Sequence, residues 1–125
     1  MGRPTKKETN DNKKIIGQST TRFVRCAPRK VRLIADMIRN KPVWEAMEIL
    51  RFTHRPSAVP HVEKALKAAV AAAQEIHPNP QSLDVGEIII NEAKMIKRMR
   101  AASMGRAVPI RKRNSHIFVA LTEEA

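Results

Sequence analysis

Hydrophobic residues recur every three or four positions in three stretches of the chain, and this spacing predicts three amphipathic helices. The helices are expected over residues 27–39, 43–50 and 57–77. A proline suited to a first helical turn lies at or next to the start of each, namely Pro28, Pro42 and Pro60. The expected buried stripes are Val31, Ile34, Ala35 and Ile38; Val43, Ala46, Met47 and Leu50; and Val59, Val62, Leu66, Ala69, Ala73 and Ile76.

Residues with high strand propensity cluster in three further stretches. Ser19–Arg25 alternates in part, with Arg22 and Val24 on one side of the strand and Phe23 and Arg25 on the other. Leu83–Ile90 and Ile117–Leu121 are rich in Val and Ile. Three helices packed on one side of a small three-stranded antiparallel sheet make a two-layer α+β domain, which is the predicted fold class.

A long protruding β-hairpin is expected between the last two strands, at about residues 88–118. Small residues at Ala101–Met104 followed by Gly105 indicate its turn. Arms of roughly 14 residues would reach on the order of 45 Å, whereas a compact domain of this length has a radius of gyration of about 14 Å. The expected hairpin carries many bases and one acid, Glu92. The bases are Lys94, Lys97, Arg98, Arg100, Arg106, Arg111, Lys112 and Arg113.

The chain ends flank this single domain, which we expect to span residues 18–122. Residues 1–17 are polar and basic and have few apolar groups to bury, so they predict a flexible arm. That arm is either a solvated tail or a segment that orders on a polyanion. Residues 123–125 form a short acidic end that we expect to fray.

The formal net charge of +12 favours a polyanionic partner, because it far exceeds what solubility requires. A two-stranded ribbon alone in water is marginal, and this one also repels itself, so nucleic acid is the favoured ligand. The N-terminus of the first predicted helix lies beside Arg25, Arg29 and Lys30, which makes it a second candidate phosphate site. Arg22 and Arg32 extend the same basic surface.

Other chemistry finds little support in the sequence. One cysteine, Cys26, allows no disulfide within the chain and fits a reducing, cytoplasmic location. The histidines show no zinc-ligand spacing, and no nucleophile–base motif or phosphate loop is evident, so we expect no metal, no cofactor and no enzymatic activity. Trp44 could stack on a base, but its place within an apolar helix favours packing.

Two alternative functions remain open on residues alone. A small DNA-binding protein could place helix 27–39 in the major groove, although no preceding helix completes a helix-turn-helix and the hairpin would have no role. A peripheral membrane protein fits less well, since the basic segments lack an apolar face to insert. No run of 18 apolar residues predicts a membrane span. Because both alternatives leave features of the chain unexplained, we expect neither a membrane nor a DNA partner.

Several motifs in order resemble the large-ribosomal-subunit protein L twenty-two family of bacterial type. They are R-x-x-P-R-K-V-R-L-I-A-D-M-I-R at Arg25–Arg39, then W-E-A-M-E-I-L, K-R-M-R…G-R-A at Lys97–Ala107 and I-R-K-R-N-S-H-I at Ile110–Ile117. The resemblance covers about residues 18–122. It implies a structural rRNA-binding protein of the large subunit, early in assembly and beside other ribosomal proteins, whose hairpin lines the nascent-peptide exit tunnel.

The resemblance also implies roles for particular residues. Arg111–Arg113 and His116 would lie on the returning strand, packed in rRNA, and Lys97 and Arg98 would lie in the tunnel-facing region. The tip that would meet the nascent peptide comprises Arg100, Ala101, Ala102, Ser103, Met104, Gly105 and Arg106. The complete predicted rRNA-binding set is Arg22, Arg25, Arg29, Lys30, Arg32, Lys94, Lys97, Arg98, Arg100, Arg106, Arg111, Lys112, Arg113 and His116.

Overall fold

The computed structural model describes residues 13–124 and confirms an α+β domain with a long β-hairpin. Its elements are β1 (Lys13–Val24), α1 (Pro28–Ile38), α2 (Val43–Phe52), α3 (Val59–Gln74), β2 (Asp84–Ala101) and β3 (Ala107–Glu124). A short 3₁₀ turn at Pro80–Ser82 precedes β2, and a second at Ser103–Gly105 joins β2 to β3. The strands form one antiparallel sheet in the order β1-β3-β2, so the last strand of the chain is central.

The core lies between one face of the sheet and the three helices. Ile117, Val119 and Leu121 of β3 are fully buried and alternate with side chains of the opposite face, as a strand covered on one side requires. The expected helical stripes meet them, with two exceptions. Met47 is only half-buried, and Ile76 is 70 % exposed because α3 ends at Gln74 and leaves it beyond the last helical turn.

Strand β1 packs unusually close to α3, and the contact depends on Gly17. A Cβ added there would lie 2.8 Å from the carbonyl oxygen of Ala69 and 2.8 Å from the Cβ of Ala73. Ser19 completes the contact, since its hydroxyl donates a hydrogen bond of 2.7 Å to the carbonyl oxygen of Ala65. Glycine in the strand and alanines in the helix therefore let the two backbones approach.

The outer edge of β2 is covered within the body. The loop between α1 and α2 pairs with it, because the amides of Asn40 and Val85 donate to the carbonyls of Val85 and Lys41 at 2.9 Å each. The guanidinium groups of Arg32 and Arg39 donate to the carbonyls of Ile90 and Ile88 at 3.0 Å each. A sheet edge covered in this way cannot pair with another chain.

The two chain ends differ from the sequence-based expectations. Strand β1 begins at Lys13, so residues 13–17 are paired sheet residues and their assignment to a flexible arm is wrong; residues 1–12 lie outside the described residues. Glu123 and Glu124 pair with Lys14 and Lys13 in the register of β3 and β1, so the predicted frayed end is also wrong for these two residues. Backbone pairing gives both segments partners that their polar composition does not reveal.

The hairpin is a direct extension of the sheet. Pairing of β2 with β3 runs from Asp84 opposite Thr122 to Ala101 opposite Ala107, so the ribbon begins inside the body, before residue 88. Met104 (φ 62°) and Gly105 (φ 70°) make the turn, at the expected place. Beyond the end of β1, residues 93–101 and their partners on β3 continue without a third strand, and this part is on the order of 30 Å long.

No helix among the described residues combines the length and the apolar character needed to cross a membrane.

Trp44 is 53 % exposed, so the expectation that it packs in the core is wrong. It lies beside the buried stripe of α2 rather than on it.

Candidate nucleic-acid interface

A cleft lies where the N-terminus of α1 meets the base of the hairpin. Its volume is about 460 Å³, and five of its lining residues are cations: Arg25, Lys30, Arg98, Lys112 and Arg113. The remaining lining residues are Cys26, Ala27, Ser57, Ile96 and Asn114. No carboxylate lines the cleft in the described chain, so five positive side chains face one water-filled space.

Buried polar groups hold the two walls of this cleft together. The hydroxyl of Ser115 in β3 donates a hydrogen bond of 3.0 Å to the carbonyl oxygen of Cys26, the residue that leads into α1. The amide of Asn114 donates to the carbonyl oxygen of Lys94 at 3.0 Å, within the bulge that interrupts the pairing of β2 with β3 between Ala93 and Ile96. The first contact fixes the hairpin base against the segment that leads into α1, and the second fixes the two hairpin strands to each other.

Burial determines the chemistry of Cys26. The thiol is buried, and its desolvation raises its pKa, while the positive charge of Lys30 and a backbone hydrogen bond from Ala27 act in the opposite direction. Desolvation is the largest of these effects, so the sulfur remains a protonated thiol at neutral pH. Cys26 therefore contributes a neutral wall to the cationic cleft.

The N-terminus of α1 lies at the cleft, since Ala27 and Lys30 both line it. No described side chain caps it, its first turn holds no acidic residue, and Pro28 occupies the first helical position. Arg25, Arg29 and Lys30 are all exposed around it. Such an end binds anions through its unsatisfied N–H groups and the positive end of the helix dipole.

Both faces of the hairpin carry positive charge. Lys97 lies directly opposite Arg111 on one face, a like-charged cross-strand pair that destabilises an isolated ribbon. Arg98 and Arg100 point to the other face, with Lys112 beside them on the returning strand. All five side chains are exposed, so an anion on either side of the ribbon would meet cations.

Few of the predicted interface cations have acidic partners. Within the part of the chain that the structure describes, only Arg113 of the predicted set lies within 4.0 Å of a carboxylate, at 3.9 Å from Glu92. The closer ion pairs lie elsewhere, between Arg39 and Asp36 on α1 and between Lys67 and Glu63 on α3. The positive charge of the hairpin is therefore almost uncompensated by residues 13–124.

Three members of the predicted set occupy positions that the sequence did not indicate. Arg32 is exposed, but its guanidinium bonds the edge of β2, so it also supports the fold. His116 accepts a hydrogen bond at Nδ1 from the amide of Phe23 at 3.1 Å, which leaves Nε2 as a donor. Lys94 lies in the bulge, where its carbonyl is bonded by Asn114.

The remaining predicted residues lie near the end of β1 and at the tip of the hairpin. Arg22 is exposed at the end of β1, and the tip residues Arg100–Arg106 lie at the far end of the hairpin with no buried side chain among them. Sequence reasoning left out Phe23 and Asn114. The residues around Asn114 give little indication of its contact with Lys94. Phe23 is more conspicuous in the sequence, since it is one of few aromatic residues and lies close to Arg22 and Arg25.

Residues 19–122 match the family model described as ribosomal protein L22p/L17e. The chain belongs to that family. It is 48 % identical over 106 residues to a protein named large ribosomal subunit protein uL22 from Caldicellulosiruptor saccharolyticus, covering 84 % of this chain and 86 % of that protein. It is similarly related to proteins of the same name from Pediococcus pentosaceus, 46 % identical over 86 % of this chain and 91 % of that one, and Oceanobacillus iheyensis, 46 % identical over 86 % and 95 %.

Proposed function

We propose that this chain is a structural constituent of the large ribosomal subunit and binds the subunit's rRNA through α1, the cleft and the hairpin. One observation carries the proposal most directly. The hairpin extends beyond its body with cations on both faces and, among the described residues, a single acidic partner at 3.9 Å, a state that an enclosing polyanion would stabilise. Membership of a ribosomal protein family agrees with this assignment.

The body and the hairpin would make different contacts. Where the body meets the hairpin base, the five cations of the cleft and the N-terminus of α1 surround a volume suited to backbone phosphates. Along the hairpin, cations on opposite faces fit a ribbon with RNA on both sides. Such contacts recognise the shape of folded RNA through its phosphates and sugars, so we expect no simple base code along the ribbon.

The tip would have a different role from the arms. Residues Ala101–Gly105 are small apart from Met104, and all but the half-buried Ala102 are exposed. They interrupt the basic series between Arg100 and Arg106. We propose that this end lines the peptide exit tunnel and contacts the nascent chain. The body would lie beside neighbouring ribosomal proteins in the cytoplasmic ribosome and would take part in subunit assembly.

Salt-dependent binding to protein-free large-subunit rRNA tests the proposal. Each phosphate contact contributes roughly 0.7–0.9 to the slope of log K against log salt, so removing two cleft cations should lower that slope by about 1.4–1.8. The variant is Arg98→Gln with Lys112→Gln, since both side chains line the cleft. The control is Lys64→Gln with Lys67→Gln, an equal charge change on α3, outside the cleft and hairpin.

We expect the cleft variant to bind more weakly and with the smaller slope, and the control to stay close to wild type. Duplex DNA and anionic vesicles should compete poorly with the rRNA, which separates this function from DNA binding and membrane attachment. A cleft variant that keeps the affinity and slope of wild type would contradict the assignment of the cleft. Failure of the wild-type chain to co-sediment with large subunits through a high-salt wash would contradict the proposal as a whole.

A further inference from the structure

Phe23 has a backbone conformation that its side chain disfavours. Its φ is 56°, in the left-handed region, where a bulky residue without a special reason is an outlier. It lies in the bulge between the Thr21 and Val24 pairings of β1 with β3, and 63 % of the residue is exposed. A strained conformation of this kind persists only where surrounding contacts hold it, and such residues concentrate at functional sites.

Two contacts from His116 hold Phe23 in place. The amide of Phe23 donates to Nδ1 of His116 at 3.1 Å, and the two rings meet edge to face with centroids 5.0 Å apart and planes at 81°. His116 is itself half-buried in the central strand β3, so its ring is fixed by the sheet. The phenyl ring is therefore positioned from one side and open to solvent on most of its surface.

The surroundings of this ring are cationic. Arg22 precedes it and is exposed, and Arg25, two residues further on, lines the cleft at the base of the hairpin. No carboxylate of the described chain forms an ion pair with either arginine within 4.0 Å, since the ion pairs present involve other residues. An exposed, rigid aromatic ring between two uncompensated arginines matches the way proteins hold an unpaired base and its flanking phosphates.

We propose that Phe23, positioned by His116, is a stacking platform for one unpaired base of the rRNA. The proposal rests on the proposed function and adds a base contact to an interface otherwise made through phosphates. Packing against His116 alone would account for the edge contact but not for the exposure of the ring. A neighbouring protein is a poorer occupant, because the arginines on each side would repel most basic ribosomal partners.

Tryptophan fluorescence tests the stacking directly. In a Trp44→Phe background, Phe23→Trp places the only indole of the chain at the platform, and Phe52→Trp provides the control. Phe52 is a matched position, since it is 82 % exposed at the end of α2 and outside the cleft and the hairpin. On addition of protein-free large-subunit rRNA, we expect strong quenching of Trp at position 23 and little change at position 52.

Affinity for the same rRNA gives the second measurement. Stacking of one base is typically lost with a roughly 5- to 150-fold fall in affinity, so Phe23→Leu should weaken binding within about that range, whereas Phe52→Leu should not. The slope of log K against log salt should stay unchanged in Phe23→Leu, because no phosphate contact is removed. Circular dichroism of each variant verifies that the fold is retained.

The outcomes distinguish the two proposals. Tight wild-type binding without quenching at position 23, or with Phe23→Leu at wild-type affinity, overturns the platform and leaves rRNA binding intact. Equal quenching at positions 23 and 52 also overturns it, since that result reports general proximity to RNA. Absence of wild-type binding overturns the proposed function and the platform together.

Discussion

Replacing Gly17 with alanine should destabilise the whole domain, although the residue lies in a segment whose sequence predicts a flexible arm. The added Cβ would lie 2.8 Å from three atoms: the carbonyl oxygen of Ala69, and the nitrogen and Cβ of Ala73. None of these atoms can rotate away, because two belong to the backbone of α3 and the third is attached to it. The strand must therefore move away from the helix.

The size of the effect follows from two terms. Forcing one extra carbon into a packed interface costs about 1–3 kcal/mol. The same movement would stretch the 2.7 Å hydrogen bond from Ser19 to Ala65, which contributes roughly 1 kcal/mol. We expect a loss of about 2–4 kcal/mol, which is a large part of a stability of roughly 5–15 kcal/mol.

Urea unfolding followed by circular dichroism measures this change, with an expected fall of about 1–2 M in the midpoint. Gly105→Ala is the control, because an added Cβ there would meet no described atom within 4 Å. Its φ of +70° strains the alanine, but that strain is confined to the hairpin tip and should leave the stability of the body unchanged. Ala73→Gly should partly rescue Gly17→Ala, because it removes one of the three opposing atoms. A midpoint for Gly17→Ala equal to that of wild type would refute the close approach of β1 and α3.

Two further predictions concern single side chains. Arg32→Ala should lower the free energy of unfolding by about 1 kcal/mol, since the guanidinium of Arg32 bonds the edge of β2. Arg29→Ala on the same helix should change it by less than about 0.5 kcal/mol. Equal unfolding midpoints for the two variants would contradict this distinction. Burial raises the pKa of the Cys26 thiol above its ordinary value of 9.0, so its contribution to stability is fully present below pH 9.0 and is lost as the pH rises through the folded-state pKa. Unfolding of wild type and Cys26→Ala between about pH 8 and pH 11 should show the steeper decline in wild type, and parallel curves would contradict the raised pKa.

Local sequence patterns were sufficient to predict the helices, the strands of the core and the position of the hairpin. The periodicity of α1 and α3 placed Val31, Ile38, Val62 and Leu66 in the core, where each is fully buried. The turn chemistry around Gly105 placed the tip, where two successive residues have positive φ. These features depend on neighbours in sequence, so a pattern of residue types carries them.

Features that depend on distant partners could not be predicted in the same way. Residues 13–17 contain two lysines and a glycine, and they become strand only because the end of β3 pairs with them. The conformation of Phe23 depends on a histidine 93 residues away. The structural role of Arg32 depends on a carbonyl 58 residues away, and its sequence position on a basic helix face gave no indication of it.

The free edges of the hairpin link these observations to function. Within the body, β1 covers one side of β3, while the α1–α2 loop and two arginines cover β2. Beyond Ile90 and Ser115, no described segment pairs with either outer edge, so the outward-facing backbone groups of both strands depend on solvent or a partner. Unprotected edges invite pairing with other chains, and Lys and Arg along them oppose it by repulsion. The same charges that keep this ribbon from associating with itself are those that RNA phosphates would neutralise, so its solubility when free and its stability when bound arise from one set of side chains.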